Sequence, residues 1–177
     1  MGNTYAWGEL TANNTVNYLG WDNYKYCMGT PSSITKYNTD ASCGVVDNKT
    51  RLEFSDDAAY QSSGGTMRIP TKTEMEELIN NCTWIWGTYK GVKGFKIWNK
   101  ADPNHNAVMF LPTKTGSSPD EEENHEEATS DAAYWTSDLR YSSDAYRLYI
   151  SNTIWSREFG SYSRAYPANI RAVVNIE

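Results

Sequence analysis

Arg68–Trp98 reads RIPTKTEMEELINNCTWIWGTYKGVKGFKIW, and a change of period inside it sets the fold class. Pro70 precedes Thr71, and Thr71 with Glu74 makes a capping box, in which each side chain satisfies the other residue's backbone N–H. Met75, Leu78, Ile79 and Cys82 fall at i, i+3, i+4 and i+7, one apolar stripe of an amphipathic helix. Lys72, Glu76, Glu77 and Asn80 are left to face water. At Thr83 the period drops to two. Thr83–Trp86 and Gly94–Trp98 read as paired strands around a turn at Lys90–Gly91. A helix running straight into an aromatic hairpin points to an α+β domain.

Working outward, Ser55–Tyr60 reads as a short helix capped by Ser55, with Asp56 and Asp57 suiting its positive end and Gly64–Gly65 stopping it. Thr11–Thr50 is rich in Asn, Tyr, Thr and Ser. It reads as a long surface loop, extended near Tyr24–Cys27 and pinned to the core by Tyr18, Trp21, Tyr24, Tyr26 and Tyr37. Residues 3–10 suggest a first strand ending at Gly8, with Tyr5 and Trp7 on one face. On the C-terminal side, Ala107–Leu111 is a continuous apolar run closed by Pro112, as a buried central strand would be. Further strands are expected at Tyr134–Trp135, Tyr146–Ile150, Thr153–Trp155 and Ile170–Ile176. No internal repeat of fixed period is visible.

At 177 residues, one domain spanning 1–177 is expected. Seven Trp and thirteen Tyr offset a modest apolar content, since each buries a large area. A net charge of -6 argues against nucleic acid as the main partner, because phosphate binding needs a basic face. No apolar run reaches the length of a membrane span, so no direct membrane insertion is expected. The start, MGNTYA, has neither a signal peptide's regions nor the Ser or Thr of a myristoylation site.

Chemistry-bearing motifs are scarce. Cys27, Cys43 and Cys82 form an odd set without a CxxC; Cys82 reads as a core residue, and Cys27 with Cys43 could pair only if the fold brings them together. The acidic run Asp120–Glu127, with His125, could attract a hard cation but lacks the alternating spacing of a calcium loop; a solvated loop is the plainer reading. His105 and His125 lie in no nucleophile or metalloprotease motif. Carboxylates such as Glu74 or Asp57 could in principle serve a glycoside hydrolase, but spacing alone gives them no partner. No catalytic residue, metal or cofactor is expected, and the chain reads as a non-enzyme.

Tyr134–Val174 is different. Its strands alternate with Tyr, Ser and Arg, the residues that build adaptable contact surfaces. Between Leu139 and Arg171 five Arg face only Asp144 and Glu158, inside an acidic chain. An ordinary half-exposed sheet explains the alternation; it explains the clustering less well. The candidate ligand-binding residues are Arg140, Tyr141, Tyr146, Arg147, Tyr149, Trp155, Arg157, Tyr162, Arg164 and Tyr166.

Several stretches together resemble one bacterial family. YAWGE at Tyr5–Glu9, KYNTD and VDNKT at Lys36–Asp40 and Val46–Thr50, DDAA, RIPTKTEMEEL, NNCTWIW, YWTSD and the closing NIRAVV are similar to the Fibrobacter succinogenes major paralogous domain. That family is related to the C-type-lectin-fold variable proteins of diversity-generating retroelements. The resemblance implies a C-type-lectin-like fold, with two helices on a mixed, mainly antiparallel sheet and adjacent N- and C-terminal strands. It implies a variable binding region at about 134–174, where adenine-directed mutagenesis yields Tyr, Ser, Asn, Asp, Arg and Thr but not Lys, Gln, Glu, Met or Trp. No Lys, Gln or Met follows Lys114, whereas Trp155 and Glu158 would have to be fixed. The implied partner is a protein or glycan on a bacterial cell or phage surface, where the protein would reside. The alternative is an invariant structural or glycan-associated module of a surface lipoprotein. The EPN and WND sugar–calcium motifs are missing, and Cys82, as the last cysteine, removes the reactive pair of the related formylglycine-generating enzymes.

Overall fold

The capping box at Thr71 forms as its sequence requires. In the computed structural model, which describes residues 3–12, 20–113, 131–152 and 157–175, the Thr71 N–H donates to Glu74 Oε2 at 2.8 Å and the Glu74 N–H donates to Thr71 Oγ1 at 3.2 Å. In chain order the elements are β1 (Thr4–Tyr5), α1 (Ala58–Ser62), β2 (Met67–Arg68), α2 (Lys72–Asn81), β3 (Cys82–Tyr89), β4 (Val92–Asn99), β5 (Met109–Pro112), β6 (Asp131–Tyr141), β7 (Asp144–Ser151), β8 (Arg157–Ser163), β9 (Ala168–Asn169) and β10 (Val173–Val174). The protein is α+β. Its strands form a five-stranded sheet in the order β1-β9-β6-β7-β8, a three-stranded sheet β3-β4-β5 and the pair β10-β2. Among the described strands one pair is parallel, β6 with β9 at Tyr134 and Asn169.

The helix and the hairpin stand where the sequence puts them. Met75 is buried, and Leu78, Ile79 and Cys82 pack beside it, although Cys82 opens β3 instead of ending the helix. The β3–β4 turn is the two residues Lys90–Gly91, with φ of 48° and 79°. Two left-handed residues in a row match the right-handed twist of the strands they join.

Other expectations need correcting. The short helix is Ala58–Ser62, and Asp57, not Ser55, caps it by accepting from Ala59 N and Tyr60 N. Ser55 lies in a preceding 3-10 turn, Phe54–Asp56. The apolar run at Ala107 yields only Met109–Pro112, and that strand is an edge; β4 is the centre of its sheet. Pro112 has no N–H to give, which suits an edge and not a centre. β8 was not expected, because REFGSYS carries no apolar alternation. The strand expected at Thr153–Trp155 lies outside the described residues. The N-terminal strand meets the C-terminal region through β9, with Thr4 opposite Asn169, while the last described strand β10 pairs with β2.

The five-stranded sheet has a core on each face. Ala133, Trp135 and Ala145 join Ala6, Trp7, Tyr24, Tyr26 and Tyr37 in one cluster. Ala132, Tyr134, Leu148 and Ile150 join Met75, Trp84, Phe95, Ile97 and Leu111 in the other. Successive side chains of β6 thus enter opposite cores.

The long N-terminal loop is held by its aromatics. Trp7 meets Tyr37 edge-on at 5.1 Å, Tyr37 meets Tyr26 at 5.5 Å and Tyr26 meets Tyr24 at 5.6 Å. The Tyr24 and Tyr26 hydroxyls donate to the carbonyls of Trp7 and Gly8, so the rings fix the chain's entry into the sheet. Asp56, buried beneath them, accepts from the Tyr37 hydroxyl at 2.7 Å and from Lys36 Nζ at 2.5 Å. Burial alone would raise its pKa; these donors hold it well below the usual carboxylate range.

Candidate recognition face

Register sorts the Tyr/Ser/Arg-rich text onto two sides of one sheet. On β7, Ala145, Arg147 and Tyr149 stand opposite Tyr162, Gly160 and Glu158 of β8, and Arg147 and Tyr149 stand opposite Trp135 and Ala133 of β6. Cross-strand partners share a face. Tyr146, Leu148 and Ile150 stand opposite Ser161, Phe159 and Arg157 and therefore point the other way, toward α2. The candidate residues do not form a single surface.

On the first face the Arg147 guanidinium lies over the Tyr162 ring, 3.9 Å from its centroid. Tyr166 stands 5.7 Å beyond Tyr162. The Tyr149 hydroxyl donates to Asp131 Oδ2 at 2.6 Å. Tyr162 is 44% exposed, while Arg147, Tyr149 and Tyr166 are half-buried. Among the described residues the Arg147 guanidinium has no carboxylate or carbonyl partner, and burial pushes its pKa down. A half-desolvated fork of five N–H donors, stacked on an aromatic ring, is poised to accept an oxyanion.

On the second face Arg140 donates to Ser161 Oγ at 3.2 Å and stacks between Tyr141 and Tyr146. Lys72 of α2 sits over Tyr146 and Phe159, and Arg157 over Trp84. These cations cover aromatic rings that belong to the α2 side of the molecule. Tyr141 is 57% exposed at the end of β6. Trp155 lies outside the described residues.

Arg164 is not a binding residue. It is fully buried at 0% exposure, and its two terminal nitrogens each donate at 2.8 Å, Nη1 to the Tyr37 carbonyl and Nη2 to the Lys36 carbonyl. Its own carbonyl accepts from Trp7 N at 2.9 Å. It ties the N-terminal loop to the sheet, and burial lowers its pKa. Nothing in SYSRAYP separates this arginine from its exposed neighbours, because composition carries no record of direction. Asp131 and Glu158 were missed on the first face. Extending the β6 alternation back from Ala133 would have put Asp131 there.

The other candidates resolve simply. Glu74 is bound by Arg68 through a fork at 2.6 and 2.7 Å, and Asp57 accepts from three backbone N–H groups, so both carboxylates are committed to structure. Ile34 bridges Cys27 on one strand segment and Gly44 on another, and Cys27 and Cys43 are free thiols. His105 lies against Trp98, the ring centroids 4.5 Å apart and the planes tilted by 39°. Asp120–Glu127 lies outside the described residues, and among those described no group of three potential ligands could hold a metal.

No protein-family model matches the chain, and no curated protein or solved structure is detectably similar to it. Among the described residues no helix is long and apolar enough to cross a membrane.

Proposed function

We propose that the protein is a non-enzymatic recognition domain of the C-type-lectin-like kind, which binds varied protein or cell-surface targets through the Arg147–Tyr149–Tyr162–Tyr166 face. Arg147 carries this reading. A half-buried cation left without an anionic partner is costly, and that cost is sensible where a ligand supplies the partner. Tyr149 and Tyr162 add rigid contact area at low entropic cost. The α+β architecture, the capped α2 and the β1–β9 pairing are in keeping with this family reading. The retroelement origin rests on the sequence resemblance. Its test is the DNA beside the gene: a reverse transcriptase and a near-duplicate of the 134–174 coding segment, differing at adenines, are expected. A neighbourhood without either, in several strains with identical 134–174 sequences, would overturn it.

One observation favours a second reading, a glycan-associated module. The outer face of β3–β5 exposes aromatic rings, with Tyr89 against Phe110 at 5.6 Å and Trp98 beside His105. Flat aromatic faces suit the apolar sides of sugar rings. Retardation by soluble polysaccharides in affinity electrophoresis, lost in Trp98→Ala and kept in Arg147→Ala, would favour that reading over the first.

A further inference from the structure

A cavity of about 1210 Å³ opens between α1, the β3–β4 hairpin, β5 and the segment following β9, sharing no residue with the recognition face. Tyr134 is its buried floor, its hydroxyl donating to the Pro112 carbonyl. Tyr5, Ala59, Phe110 and Ile170 supply apolar wall. Three cations stand among its lining residues, Lys90 and Lys93 from the hairpin and Arg171 after β9, all exposed. No Asp or Glu lines it, and none of the three cations is in an ion pair among the described residues. In a chain of net charge -6 this is a local reversal of sign around an apolar hollow.

Apolar wall with a few convergent charges at the mouth is the composition of a small-molecule site. The apolar wall rewards burial of a hydrocarbon chain in proportion to its area, while Ser62, Ser63 and Asn169, which also line the cavity, already donate to the carbonyls of Ala59, Tyr60 and Ala133 and leave a buried charge poorly served. The head of the ligand must therefore stay at the mouth, and the cations there select its sign. We propose that the cavity binds a free anionic amphiphile, an aliphatic carboxylate whose chain lies over Tyr134 and Phe110 and whose head meets Lys90, Lys93 and Arg171. The left-handed Lys90–Gly91 turn holds one of those cations at the mouth by backbone geometry.

The test is calorimetric titration of the full chain with dodecanoate and with dodecyltrimethylammonium, both below their micellar concentrations. Dodecanoate is expected to bind saturably at one site, and the cationic amphiphile at least tenfold more weakly. Lys93→Ala with Arg171→Ala should weaken dodecanoate at least tenfold while the thermal midpoint holds. Arg147→Ala with Tyr162→Ala should leave dodecanoate affinity unchanged, so this proposal and the recognition-face reading stand or fall separately. Absence of saturable binding, equal affinity for the two amphiphiles, or indifference to the double substitution would overturn it. So would binding that appears only when the six carboxylates of 120–127 are neutralised, since that outcome makes the chain's own acidic segment the occupant.

Discussion

Arg147 and Arg164 come from the same Tyr/Ser/Arg-rich text and have opposite fates. Arg164 is sealed, with both terminal nitrogens donating to loop carbonyls and its backbone tied to Trp7. Arg147 is half-buried, stacked on Tyr162 and without a polar partner among the described residues. The difference follows position in the sheet. Toward β9 and β6 both faces of the sheet are covered by cores; toward β8 the first face opens to solvent. A single composition thus builds the interior on one side and exposed surface on the other.

The sharpest way to break this comparison is Arg164→Ala. It strands the buried Tyr37 carbonyl and the part-buried Lys36 carbonyl and opens a cavity beside Trp7, and should cost about 3–5 kcal/mol in urea denaturation. A loss below about 1 kcal/mol would mean that the loop is not held as described. Two strand glycines repeat the contrast. A Cβ on Gly94 would stand 2.3 Å from the Leu111 carbonyl oxygen and 2.9 Å from Pro112 Cα, backbone that cannot yield. Gly94→Ala should therefore destabilise by about 2–3 kcal/mol. Gly160, opposite Arg147, has open space at the same position, and Gly160→Ala should stay within about 0.5 kcal/mol by the same assay.

The scaffold side also carries an acid-sensitive element. The Arg68 guanidinium, hydrogen-bonded to Glu74, holds that carboxyl at about 2, below its ordinary 4.5. Its contribution is complete above the ordinary value and fades as pH falls toward the folded one. Glu74→Gln should cost about 1 kcal/mol near neutrality. The gap to the parent protein should close on acidification, which urea melts along a pH series would show. A gap independent of pH would contradict the Arg68 assignment. Arg147→Ala should also have a small effect, below about 1 kcal/mol, because the lost stacking is offset by removal of a partly desolvated charge. Thermal melting checks it.

What was legible in the sequence was local. α2 and the β3–β4 hairpin are set by neighbours a few residues apart, through capping, an i, i+3, i+4 stripe and a two-residue turn, and each stands as read. The α1 cap was off by two residues, since Ser55, Asp56 and Asp57 are all good caps and only the tertiary path selects Asp57. β6 defeats alternation because both faces are buried; AAYWTS has no polar side to mark it. β8 defeats it in the opposite way, with Phe159 its one large aliphatic or aromatic residue facing a core. The site suffered most. Tyr, Ser and Arg report a contact-making composition, but the side each residue faces is fixed by register against strands distant in sequence. That is why Tyr146 and Arg157 join the α2 side and Arg164 the interior.

The central claim is that one face of β7–β8 is free to vary on a scaffold that is not. Its most direct measurement is protease resistance of a displayed library randomised together at Arg147, Tyr149, Tyr162 and Tyr166, compared with one randomised at Trp7, Tyr37, Trp135 and Arg164. The account predicts that most members of the first library fold with near-parental resistance and that very few of the second do. Equal loss of folded members in the two libraries would contradict it.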